Sequence, residues 1–139
     1  MIKLLFSGNT PTCIWSDIAL TVARVLVGLS LAFAHGFVKF PITEGFIGYI
    51  GSTGLPMPAL LAWVAAFIEA GGGILLALGL LTRPAAAFIA LQMLGLVLIV
   101  HRNDPFKNAE PAYLFGALAL TFLAMGGGRF SLDKLFRRD

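Results

Sequence analysis

Three long stretches of this sequence contain no charged residue, and they constrain the fold more than any other feature. The uncharged runs are 24 residues long at 45–68, 17 at 84–100 and 18 at 111–128. A helix that crosses a bilayer needs roughly 17–25 apolar residues. The whole chain is 58% hydrophobic and 12% charged, whereas an ordinary soluble domain is about 25% charged. These features predict an integral membrane protein and argue against a soluble or a disordered chain.

Four membrane-spanning helices are predicted, at about 17–36, 59–81, 84–100 and 111–125. Prolines and glycines mark their ends: Pro84 suits the first turn of a helix, and three glycines follow the last span. The segment 37–58 is too interrupted to cross, but its apolar residues favour a short interfacial helix. We therefore expect one all-α domain over 1–139, an integral membrane four-helix bundle that ends in a basic tail, 129–139.

The basic residues near the predicted span ends indicate an orientation. An even number of spans places both termini on one side of the membrane. That side would carry six basic residues: Lys3, Arg83, Arg129, Lys134, Arg137 and Arg138. The other side would carry three: Lys39, Arg102 and Lys107. Because cytoplasmic segments are enriched in Lys and Arg, both termini are expected in the cytoplasm. The net charge of +3 is not arranged as a basic stripe, so the sequence gives no support to nucleic-acid binding.

Charged residues within the predicted spans should face the bundle interior, because they are costly in hydrocarbon. In the first span, polar and small residues recur at spacings of four and three, which places them on one helical face: Asp17, Thr21, Arg24, Gly28, Leu31 and His35. In the second span, Glu69 belongs to a similar stripe of small residues. We expect a structural Arg24–Glu69 ion pair, and an alternative is that Glu69 carries protons or binds a ligand.

A second polar cluster is expected near the outer ends of the helices. His35 ends the first span, His101 ends the third, and Glu110 lies just before the fourth, with Lys39 close in sequence to His35. Histidines beside carboxylates suit the binding of a quinone head group or another small polar ligand. The simpler alternative is that they are polar residues at helix ends. No close ligand spacing supports a metal site, so none is expected.

The ordered set of motifs resembles the DoxX family of small bacterial membrane proteins, over about residues 23–133. The matching positions are Arg24, His35-Gly36 and Lys39, then Gly54-Leu55-Pro56, then Glu69-Ala70-Gly71-Gly72 with Leu78-Gly79 and Thr82-Arg83, then His101, Phe106 and Glu110, and finally Gly126-Gly127-Gly128-Arg129-Phe130-Ser131-Leu132-Asp133. The family usually has proline where Gly127 stands here. The resemblance implies a four-helix protein of the bacterial inner membrane and a link to redox chemistry, since relatives include a subunit of a thiosulfate:quinone oxidoreductase. Its characteristic positions correspond to Arg24, His35, Lys39, Glu69, His101 and Glu110.

Three functions remain open on this basis. The first is a redox-associated subunit that binds a quinone, with His35, Lys39, Glu69, His101 and Glu110 as candidate ligand contacts. No redox cofactor motif is present, so electrons would come from a redox protein partner or a soluble donor, and the enzymatic activity itself stays open. The second is a non-enzymatic scaffold in an oxidant-detoxifying complex. The third is a small-solute permease, which would require a homo-oligomer because four short helices enclose little volume.

Overall fold

The computed structural model describes residues 13–136, which form helices and connecting turns without a strand in this part of the chain. Five helices follow one another along the chain: α1 (Ile14–Lys39), α2 (Glu44–Ser52), α3 (Pro58–Leu78), α4 (Thr82–Val100) and α5 (Phe106–Met125). A short 3-10 turn at Leu132–Phe136 follows them. The all-α prediction is confirmed, and α2 is the short helix expected between the first two long ones. Lys3, Arg137 and Arg138, which entered the charge count, lie outside the described residues.

Three of the long helices change from α to π geometry partway along their length. The π segments are Ser30–Gly36 in α1, Ile68–Gly72 in α3 and Leu96–Val100 in α4. A π turn bonds each residue to the fifth one along, so it is wider than an α turn and shifts the positions that follow. All three segments contribute walls to the same cavity between the helices, described below.

The helix ends differ from the predicted ones for local reasons. α3 ends at Leu78 because Gly79 takes a left-handed conformation with φ of 68°. α4 then begins at Thr82, where the carboxylate of Asp133 accepts hydrogen bonds from the backbone N–H groups of Leu81 (2.6 Å) and Thr82 (2.9 Å). α5 begins at Phe106, ahead of the predicted start at residue 111, so Pro111 lies inside the helix.

The distribution of side chains is the one expected of a protein surrounded by lipid. Large hydrophobic residues point outward on the long helices; Leu26 and Leu120, for example, are 60% and 58% exposed. Asp17, Arg24 and Glu69 are instead buried, at 2%, 1% and 2% exposure. The predicted inward orientation of these charged residues is therefore confirmed. Within the described residues, α1, α3 and α4 are long and apolar enough to cross a membrane.

Small residues bring α1 and α3 into close contact. A Cβ atom added at Gly28 would lie 2.5 Å from the backbone oxygen of Gly73 and 2.6 Å from the backbone nitrogen of Ala77. A Cβ added at Gly36 would collide with the backbone of Ala70. Glycine at these positions allows the two backbones to touch. This contact fixes the height of α1 relative to α3, and with it the residues that meet around the cavity.

Candidate functional site

A cavity of about 520 Å³ lies between the helices, and all five helices contribute to its walls. Most of the wall is apolar, with residues such as Leu31, Ile68 and Phe115. Seven polar or titratable residues also line it: His35, Lys39, Tyr49, Glu69, Gln92, His101 and Asn108. A mainly apolar chamber with a few polar groups is the usual form of a small-molecule site, and this volume lies within the range of roughly 300–1,000 Å³ for such sites.

The most buried polar group of the cavity is the carboxylate of Glu69, whose side chain is 3% exposed. One carboxylate oxygen pairs with the ammonium group of Lys39, and the other accepts a hydrogen bond of 2.6 Å from the Gln92 side-chain amide. Lys39 also donates to the backbone oxygen of His35 at 3.0 Å. The carboxylate is thus neutralised by a cation and held by an amide, which is the condition for keeping a charge in an apolar interior.

His35 lies one helical turn before Lys39 and lines the same cavity. Its ring packs edge-on against Phe115, with 5.1 Å between the ring centres. Neither ring nitrogen has a hydrogen-bond partner among residues 13–136. The imidazole can therefore donate to, or accept from, a molecule in the cavity.

His101 lies where α4 ends, and its Nδ1 is 2.8 Å from a carboxylate oxygen of Asp104. The imidazole side chain is 20% exposed and the carboxylate 39% exposed. Four of the five predicted ligand contacts therefore line one cavity: His35, Lys39, Glu69 and His101. Glu110 is exposed and is not among the lining residues.

The predicted Arg24–Glu69 ion pair is wrong. The guanidinium of Arg24 donates to the backbone oxygens of Leu76 and Ala77, each at 2.6 Å, and to that of Phe130 at 2.8 Å. The last carbonyl groups of α3 have no partner within the helix and carry its negative dipole end, so they attract this cation. Arg24 therefore joins α1, the end of α3 and the segment after α5, and Lys39 takes the predicted role beside Glu69.

Sequence reasoning missed Gln92, Tyr49 and Asn108 as residues of the cavity wall. Gln92 carried a usable signal, because it is the one glutamine of the chain and lies in the middle of an uncharged run. A buried amide in an apolar helix requires a partner. For Tyr49 and Asn108, no spacing in the sequence relates them to the cavity. Across residues 13–136, no three His, Cys, Asp or Glu side chains are grouped closely enough to hold a metal ion.

Comparisons with known proteins agree with the membrane architecture. The sequence profile of the DoxX family matches residues 19–102. A Bacillus subtilis (strain 168) protein named "Putative oxidoreductase CatD" is 40% identical over 115 residues, covering 82% of this chain and 83% of that protein. "Inner membrane protein YphA" of Escherichia coli (strain K12) is 33% identical over 130 residues, covering 84% of this chain and 89% of that protein. No solved structure matches significantly. The chain therefore belongs to the DoxX family and is a multi-pass protein of the bacterial inner membrane.

Proposed function

We propose that this protein is a redox-associated subunit that binds a quinone or a similar small aromatic molecule in the cavity between its helices. The observation that carries the proposal is the cavity itself, about 520 Å³ with apolar walls and His35, Lys39, Glu69 and His101 along them. An aromatic ring suits the apolar walls, and its oxygen substituents suit the polar groups. The name of the Bacillus subtilis relative, which includes the word oxidoreductase, points in the same direction.

In this proposal, α1, α3, α4 and α5 each cross the membrane, with both termini in the cytoplasm. The cavity then lies toward the outer half of the bilayer, since it is lined by the ends of α1 and α4 and by the start of α3. The short helix α2 lies at the outer interface and covers the cavity with Phe46, Tyr49 and Ile50. A ligand dissolved in the lipid would reach the site without entering water.

The residues have separate roles. His35 and His101 contact the oxygen substituents of the ring, because their imidazoles line the cavity and each has a ring nitrogen without a partner among the described residues. Glu69, held by Lys39 and Gln92, places a carboxylate beside the ligand. A quinone, when bound, would supply the redox chemistry, and electrons would be exchanged with a partner protein. Arg24 holds the bundle together away from the cavity.

Binding of duroquinone and of its reduced form, duroquinol, to the protein in lipid nanodiscs tests the proposal, with empty nanodiscs as the correction for partitioning. Ala65 lines the cavity, whereas Ala117 lies on the exposed surface of α5. Ala65→Phe fills part of the cavity and is expected to weaken binding about tenfold or more, whereas the matched Ala117→Phe should leave it unchanged. If both the quinone and its reduced form bind no more strongly than to empty nanodiscs, the proposal is contradicted and the non-enzymatic subunit is favoured.

A further inference from the structure

The pairing of His101 with Asp104 determines which hydrogen-bonding character the imidazole offers to the cavity. A carboxylate can only accept hydrogen bonds, so the Nδ1 that lies 2.8 Å from Asp104 carries the hydrogen. In the neutral ring, Nε2 is then a bare nitrogen with a lone pair. Nε2 has no partner among residues 13–136. His101 lines the cavity, and with Nδ1 occupied the ring offers Nε2 as its free nitrogen.

An Nε2 that carries a lone pair and no hydrogen accepts a hydrogen bond from a donor, and it cannot donate one to a carbonyl oxygen. We infer that His101, held by Asp104, accepts the hydroxyl hydrogen of an aromatic ligand in the cavity, so that the site selects the reduced, hydroxyl-bearing ring. This inference rests on the proposed function and adds the chemical form of the ligand. Duroquinone lacks the hydroxyl group that such a site requires, whereas duroquinol carries it.

The same arrangement can move one proton. The O–H bond of the ligand breaks, a N–H bond forms at Nε2 of His101, and the electron pair of the broken bond stays on the ligand oxygen. The resulting imidazolium is stabilised by the negative charge of Asp104. His101 thus contacts the ligand, and Asp104 acts as a positioning residue through it.

The test compares duroquinol with its dimethyl ether, which has the same ring but no hydroxyl donor, in nanodiscs under anaerobic conditions. One hydrogen bond is worth about 0.5–1.5 kcal/mol net, so the hydroquinone is expected to bind up to about tenfold more tightly than the ether. His101→Leu should abolish this preference. Asp104→Asn is the sharper variant, because an amide can donate to Nδ1 or accept from it and no longer dictates the tautomer. It should bring the affinities for the hydroquinone and the ether close to each other, since an Nε2–H tautomer can donate to the ether oxygen.

The possible results separate the inference from the proposed function. One result is that the ligands bind wild type in the cavity while Asp104→Asn and His101→Leu keep the full preference for the hydroquinone over its ether. In that case the inference is wrong, and the proposed binding site is still supported. Equal affinity of wild type for the hydroquinone and its ether would also refute the inference alone. If neither duroquinone nor duroquinol binds, both are wrong. Circular dichroism of each variant is the control for folding. Asp104, in the exposed turn after α4, is a position where folding should tolerate the change.

Discussion

A double-mutant cycle between Lys39 and Glu69 tests the central contact of the cavity. Lys39→Met leaves the Glu69 carboxylate without its cation in a site where the side chain is 3% exposed. Removing one partner of a buried pair costs about 3–5 kcal/mol. Glu69→Gln should cost less, because the Lys39 side chain is 22% exposed and its ammonium can turn toward water. The double variant removes both charges, so it should be more stable than Lys39→Met alone, by about 2 kcal/mol.

The measurement is reversible unfolding by sodium dodecyl sulfate in mixed micelles, followed by circular dichroism. The matched control is the cycle between Arg24→Gln and Glu69→Gln. Arg24 bonds backbone oxygens at the end of α3, and Glu69 bonds Lys39 and Gln92, so the two share no partner. Their effects should add within about 0.5 kcal/mol. Additivity in the Lys39–Glu69 cycle, or strong coupling in the Arg24–Glu69 cycle, would refute this assignment of partners.

Two further predictions concern packing and the single thiol. Gly28→Ala should destabilise the protein by about 2 kcal/mol or more in the same unfolding assay, because its Cβ would lie 2.5 Å from the Gly73 oxygen. The control Gly71→Ala has open space around its Cβ and should be neutral or slightly stabilising. Equal losses of stability in the two variants would contradict the packing argument. The backbone N–H groups of Trp15 and Ser16 lower the pKa of the Cys13 thiol at the start of α1. A lowered pKa increases the thiolate fraction at a given pH. Maleimide labelling of the folded protein should therefore reach half its maximal rate at a lower pH than labelling of the unfolded protein. Labelling rates with the same pH profile in both states would argue against this effect.

The helices could be predicted from the sequence because lipid leaves a strong signature. Few charges, punctuation by Pro and Gly, and stripes of small or polar residues at spacings of three and four are all visible without a structure. The inward positions of Arg24 and Glu69 follow from the same pattern. The ends of the helices are harder to predict from the sequence. The end of α3 depends on the left-handed conformation of Gly79, and the start of α4 depends on Asp133, 51 residues beyond Thr82.

The partners of the charged residues could not be predicted, for two physical reasons. Backbone carbonyl groups at a helix end can bind a cation as well as a carboxylate does, and nothing in the sequence shows that Arg24 meets the carbonyls of Leu76 and Ala77. The depth of a residue along a helix follows from its sequence position only where every residue advances by the same rise. The π segments at Ser30–Gly36 and Ile68–Gly72 break that rule just where α1 and α3 meet at Glu69.

Those wider turns make the bundle unusually sensitive to chain length inside its helices. The π segment Ser30–Gly36 accommodates one residue more than α geometry would over the same rotation. If it relaxed to regular α geometry with all of its residues kept, every side chain beyond it would rotate by about 100° around the helix axis. Lys39 would turn away from Glu69, although neither residue had been replaced. In this protein, the number of residues between two positions is therefore as much a part of the binding site as the identity of the side chains.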